Sequence, residues 1–343
     1  MTALLELRGV SKEFPLRSAF LRRRTSSTRA VDSVDLVLNR GETLGLVGES
    51  GSGKTTLGRI ALGLIEPTAG QVLVDGIDLA NLEVRERQAV RRRVQFVFQD
   101  PYSSLDPFTP VGDSIAEPLR THHFGDRTSR PDRVAELLEL VGLRPAFAQR
   151  YPREFSGGQL QRIAIARALA LDPELVVLDE PVSSLDVSTQ ADVINLLAKL
   201  QAELGVAYLF IAHDLAVVDH ISTRIAVMYL GRIVEEGPAD VVVAKPKHPY
   251  TLALLSAVPG DELRERDRRP RIVLQGELPS PRAKVAGCRF HTRCPLAMKV
   301  CRDATPDPIL APDGSSAWCH LHAPGKIAEI QSLVELRLPE LQR

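Results

Sequence analysis

The stretch Gly48-Glu49-Ser50-Gly51-Ser52-Gly53-Lys54-Thr55 fits the pattern G-x-x-x-x-G-K-[ST]. It follows the apolar run Thr43–Val47, which reads as a buried strand, and it opens a segment that reads as a helix over 55–64. That context is the one in which such a loop wraps phosphates. Glycines let the backbone approach closely, and its N–H groups and the helix N-terminus favour negative charge. Lys54 can reach β- and γ-phosphates, and Thr55, with Thr56 beside it, can offer a hydroxyl to Mg²⁺. The loop alone indicates a nucleotide and leaves GTPase, kinase and transporter chemistry equally open.

A second chemical element is Leu175-Val176-Val177-Leu178-Asp179-Glu180, an apolar run ending in two carboxylates. A buried strand here delivers Asp179 to the carboxyl edge of a sheet, beside the phosphate loop, where it can hold the Mg²⁺ shell. Glu180 then stands where it can polarise an attacking water as general base.

Ser156-Gly157-Gly158-Gln159, followed by Leu160-Gln161-Arg162, resembles the signature motif of ATP-binding cassette (ABC) proteins. A hydroxyl and successive N–H groups at a helix start suit a γ-phosphate. The resemblance implies that this cradle serves, in trans, the ATP held by a second subunit's phosphate loop. It extends to Gln99 as the glutamine that contacts Mg²⁺ and water, to Ser183-Ser184-Leu185-Asp186 as the D-loop, and to His213 as the switch histidine. Phe14 sits where the family places an aromatic residue against adenine. The resemblance covers residues 4–258. It implies a P-loop NTPase α/β fold: a RecA-like mixed sheet, an antiparallel β subdomain, and a helical signature subdomain at about 101–170. It also implies two cassettes closing head to tail on two ATP molecules.

The tail narrows the resemblance. Lys247-His248-Pro249-Tyr250, Gln99-Asp100-Pro101-Tyr102 and Tyr151-Pro152-Arg153-Glu154-Phe155 are similar to segments of the ATPase subunits of dipeptide, oligopeptide and nickel importers. All four cysteines, Cys288, Cys294, Cys301 and Cys319, fall in the region 259–343, read as a small C-terminal Cys-rich extension. Four thiolates satisfy either tetrahedral zinc or an iron–sulfur cube. The gaps lack paired C-x₂-C knuckles, which tilts the reading away from zinc. Members of the resembled family carry a 4Fe–4S cluster on such cysteines, so a cluster is the expectation, with zinc or no metal as alternatives. His291, His320 and His322 are lesser candidates.

The elements needed to position these residues are legible. Strands read at 4–10, 31–38, 43–47, 72–74, 94–98, 175–178 and 207–212 alternate with helices at 55–64, 133–141, 159–170 and 189–203 and from 215. Residues 259–271 are charged and apolar-poor and read as a linker.

Bulk composition sets the limits. The 343 residues suffice for one large domain and an appendage. Equal totals of 43 basic and 43 acidic residues argue against nucleic-acid binding. Apolar runs are too short to span a bilayer, and residues 1–10 lack a signal-peptide pattern. The expected place is therefore the cytoplasmic face of a membrane, reached through partners: a second, paralogous ATPase, two permease subunits and, indirectly, a solute-binding protein. A soluble ABC ATPase of repair or translation usually carries two cassettes or a long coiled-coil insertion, neither of which is present. A degenerate cassette is opposed by intact Lys54, Asp179, Glu180, Ser156 and His213.

Overall fold

The computed structural model describes residues 3–17, 24–258, 272–274, 279 and 285–322. The linker expected at 259–271 lies outside the described residues.

Two sheets form. The first is antiparallel, in the order β2-β1-β4-β5, from β1 (Ala3–Arg17), β2 (Arg24–Asn39), β4 (Ala69–Val74) and β5 (Ile77–Asp78). Between β2 and β4 lie β3 (Thr43–Val47) and helix α1 (Lys54–Ala61), with α2 (Val84–Arg93) after β5. The second sheet contains β3, β6 (Val94–Val97), β7 (Leu175–Asp179), β8 (Ala207–Ala212), β9 (Arg224–Tyr229) and β10 (Arg232–Pro238). Strands β6, β7, β8, β3 and β9 run parallel. Their residues are mostly apolar because both faces are covered: β7 and β8 are buried along their whole length.

The insertion between β6 and β7 is helical, with α3 (Pro101–Ser104), α4 (Val111–Thr121), α5 (Ser129–Leu140) and α6 (Gly157–Leu169). Helix α7 (Val187–Leu204) starts where the Asp186 carboxylate accepts the Thr189 N–H at 3.0 Å, and stops at Gly205, whose φ of 67° suits glycine. Helix α8 (Leu215–Ile221) precedes β9, and α9 (Ala239–Ala244) and α10 (Pro249–Ala257) follow β10.

The element types agree with the sequence reading, but several ends move. The first strand runs to Arg17 instead of stopping near residue 10, because register shifts let it stay paired with β2 through Phe14 opposite Thr28. The strand expected from residue 31 begins at Arg24 for the same reason. The helix expected to residue 64 ends at Ala61, followed by Gly63 in the left-handed region.

The C-terminal segment is built into the cassette's sheet. After α11 (Val300–Asp303), strands β11 (Ile309–Leu310) and β12 (Ser316–Ala317) add to β10, giving the order β11-β12-β10-β9-β3-β8-β7-β6. Phe290, 1% exposed, wedges between Tyr229, Tyr250 and His248, with ring centroids 5.2, 5.4 and 5.6 Å away. Glu235, fully buried on β10, accepts the backbone N–H groups of Lys247 and His248 at 2.6 and 2.8 Å. Burial pushes its carboxyl up to about 7. Truncating Phe290 to Ala should cost about 3–5 kcal/mol in a denaturant melt, since a full aromatic ring leaves a cavity in packed surroundings. A loss below about 1 kcal/mol would mean that the segment merely leans on the cassette.

Candidate active site

The phosphate-loop residues stand between β3 and α1. Two of its glycines are demanded by neighbours. A Cβ on Gly48 would lie 2.1 Å from the Met228 carbonyl oxygen, and one on Gly53 2.2 Å from that of Ala30. Gly53 also has a φ of 107°. Lys54 is 4% exposed, and its Nζ donates to the carbonyls of Gly48 and Glu49 at 2.7 and 3.1 Å. Burial lowers its pKa, opposed by the charges of Glu180, Asp179 and Glu49.

The parallel register brings the acids to this loop. Asp179 ends β7, with α1 following β3 two strands away in the same sheet. The Thr55 hydroxyl donates to Asp179 Oδ1 at 2.9 Å. Burial raises the Asp179 pKa, and the Thr55 hydrogen bond counters it. Glu180 follows with a φ of 48°, a conformation that a non-glycine residue adopts at a cost of about 1–3 kcal/mol. Its N–H is fixed on the Ile211 carbonyl at 2.9 Å. Its Oε2 accepts Gln99 Nε2 at 3.0 Å and lies 3.4 Å from His213 Nδ1. Gln99 comes from the end of β6 and His213 from the end of β8, so three strand ends meet at one carboxylate. Such a constellation can hold a water against a phosphate and take its proton.

Ser156 caps α6. Its hydroxyl accepts the Gln159 N–H at 3.4 Å while the Gln159 side chain accepts the Ser156 N–H at 3.1 Å, a capping box. Gly158 is required because a Cβ would meet Thr189 Cγ2 at 2.3 Å. Ser156 is exposed and its motif closes on itself, leaving its outer face open. Phe14 lies on β1, 38% exposed, with Lys12 Nζ 5.4 Å from its ring centroid; it is a surface aromatic, not a core one.

The cysteines form a separate group. None is in a disulfide, and Cys301 and Cys319 are buried. Burial pushes the Cys294 and Cys319 thiols up to about 12 and raises Cys288 as well. Among the described residues, no group of three or more His, Cys, Asp or Glu side chains is arranged to hold a metal ion. The histidines are engaged elsewhere: His291 Nδ1 with the Cys288 carbonyl, His320 Nε2 with that of Ala304, and His322 Nε2 with that of Lys247.

A family model described as "ABC transporter" matches residues 31–183. Along 93% of its length the chain is 52% identical to the oligopeptide transport ATP-binding protein AppF of Bacillus subtilis (strain 168), covering 98% of that protein. This chain belongs to the ABC ATPase family. A second model, "Oligopeptide/dipeptide transporter, C-terminal region", matches residues 234–301 of this ABC cassette. A probable peptide ABC transporter ATP-binding protein of Sinorhizobium fredii is 50% identical over 341 residues, 98% of this chain and 96% of that one. Among solved structures, a dimeric ATP-binding cassette bound to ADP and Pi in a post-hydrolysis state superposes with a TM-score of 0.61 at 32% identity. It covers 68% of this chain and 98% of its own. The mixed-sheet P-loop fold expected from the sequence is therefore that of the ABC ATPases.

Sequence reasoning did not single out three neighbours of this site. Tyr250 and Arg293 both contact Glu49, and Asp32 gathers Arg29, Arg232 and Arg289. Tyr250 and Arg293 are 201 and 244 positions from Glu49, and neither the segment that holds Tyr250 nor the one that holds Arg293 points to that contact. The one available signal was an acid at position 49, where the loop motif accepts any residue.

Proposed function

We propose that this chain is the ATP-hydrolysing subunit of an importer of di- and oligopeptides, acting at the cytoplasmic face of the membrane. The observation that carries this reading is the match of residues 234–301 to the oligopeptide/dipeptide transporter C-terminal region, joined to an intact cassette. Residues 4–258 are the motor, and 259–343 are the extension that marks this branch. No helix among the described residues is long and apolar enough to cross a membrane. The reading gives the solute path to partners. Those partners are two permease subunits, served by a solute-binding protein, and a second, paralogous ATPase.

In this reading Phe14 lies against adenine. Gly48 to Thr56 wrap the phosphates, with Lys54 on the β- and γ-oxygens. Thr55, Gln99 and Asp179 offer oxygens of the hard type that suits Mg²⁺, and the Thr55–Asp179 contact already brings two of them together. Mg²⁺, when bound, neutralises charge on the phosphates. Glu180 takes the proton of the attacking water, oriented by Gln99, while His213 reports on the γ-phosphate. Ser156, Gly157, Gly158 and Gln159 complete the partner's site, which is why a lone chain holds two half-sites. Nickel or another small solute remains the second reading for the cargo, from the same branch resemblance.

Cys288, Cys294, Cys301 and Cys319 are proposed as the seat of a 4Fe–4S cluster, with zinc as the alternative. Four thiols, none of them in a disulfide and all half-buried or buried, supply the donor chemistry. Among the described residues their spacing forms no coordination group. Purifying the complex from membranes without oxygen tests both proposals. Two permeases, a second ATPase, iron and acid-labile sulfide are expected. Recovery with ribosomes or DNA would defeat the importer, and a colourless complex with stoichiometric zinc would defeat the cluster.

A further inference from the structure

The phosphate loop is held by a tyrosine near the end of the motor and by an arginine of the C-terminal segment. The Tyr250 hydroxyl accepts the Glu49 N–H at 2.7 Å. Arg293 grips the Glu49 carboxylate with both guanidinium ends, Nη1 to Oε2 at 2.8 Å and Nη2 to Oε1 at 3.2 Å. The Arg293 side chain is only 11% exposed, so this fork is sheltered from water. Glu49 is also where Lys54 rests, since the Glu49 carbonyl accepts Lys54 Nζ at 3.1 Å. One residue thus joins the lysine that reaches phosphate to a tyrosine 201 positions away and an arginine 244 positions away.

The arginine's own loop is firmly seated. It runs from Cys288 to Cys294. The Cys288 N–H bonds the Cys301 carbonyl at 2.8 Å. Arg289 reaches the Leu230 carbonyl and the buried Asp32 carboxylate. Phe290 fills the space between Tyr229, Tyr250 and His248. The Arg293 N–H closes on the Phe290 carbonyl at 3.0 Å. A hydrolysing phosphate loop does not require this attachment, because its own glycines and the α1 N-terminus already cradle phosphate.

We propose that Arg293 and Tyr250 are positioning residues for the phosphate-binding loop, through which the Cys288–Cys294 loop sets the ATP affinity of this cassette. They do not touch nucleotide. They fix the Glu49 peptide, and with it the carbonyl from which Lys54 must swing to meet the β- and γ-phosphates. Any link between the thiols of Cys288 and Cys294 would fix both ends of the arginine's loop. The inference rests on the assignment of residues 48–55 as the nucleotide loop.

The test is equilibrium binding of a fluorescent ATP analogue to the full-length chain, without Mg²⁺, alongside thermal unfolding. Arg293→Ala should weaken binding about tenfold, the scale of a lost charge-assisted pair, while the unfolding midpoint moves by only a few degrees. Arg293→Lys keeps the charge but not the fork, and should recover part of the loss. Glu49→Ala should weaken binding as Arg293→Ala does, and the double variant should be no worse than either alone. Wild-type affinity in Arg293→Ala, or losses that multiply in the double variant, would overturn the proposal. If Arg293→Ala fails to fold, Tyr250→Phe removes one hydroxyl and keeps the ring; about threefold weaker binding supports the proposal, and unchanged binding sinks it. Lys54→Met separates the two failures: if it binds ATP like wild type, the loop assignment itself is wrong.

Discussion

Glu180→Gln is expected to bind ATP as wild type does and to turn it over about a hundredfold to ten-thousandfold more slowly. Glutamine keeps the shape of the side chain and can still meet Gln99 and His213. It cannot accept a proton. The backbone at 180 is already committed to a left-handed conformation and anchored on Ile211, so the substitution changes chemistry and leaves placement alone. In the proposed cycle, hydrolysis is the step that reopens two closed cassettes. ATP-loaded Glu180→Gln, with its partner ATPase, should therefore accumulate as a closed dimer in size-exclusion chromatography. Phosphate release in a single turnover reads the first effect. A variant that still hydrolyses near the wild-type rate would move the general base to another residue.

Lys54→Met is expected to weaken ATP binding about a hundredfold, because an ammonium that would meet two phosphates is replaced by a neutral chain. The same change should move the unfolding free energy by less than about 1.5 kcal/mol. Lys54 is buried, and burial lowers its pKa, so its charge is held at a cost in the unliganded chain. Methionine fills a similar volume, removes that cost, and gives up only the contacts to the Gly48 and Glu49 carbonyls. Binding and stability should thus separate: a large loss in one, little in the other. A variant that loses both together would show Lys54 to be a structural strut of the loop.

The individual site motifs were legible because each is local. Gly48 to Thr55 follows a buried strand and opens a helix, and the wrap is written in eight neighbouring residues. Asp179 and Glu180 are placed by the apolar run before them, and Ser156 by the helix it caps. Strand ends were less legible. The pairing of β1 with β2 out to Arg17 depends on register shifts in a partner strand, which no periodicity within 4–10 could register.

What the sequence alone determined is the motor: a phosphate loop, an acid pair and a signature, in an order and context that admit an ABC cassette. Tertiary structure alone decided what that loop is tied to. The C-terminal segment could be read as an appendage, since a charged stretch separates it from the motor. In the fold its strands β11 and β12 extend the cassette's own sheet, and Arg293 closes on Glu49. The physical reason is that a hydrogen bond or ion pair across 244 residues leaves no trace in either local pattern. Only the folded chain brings the guanidinium and the carboxylate together, and so sets the phosphate loop that the sequence had already named.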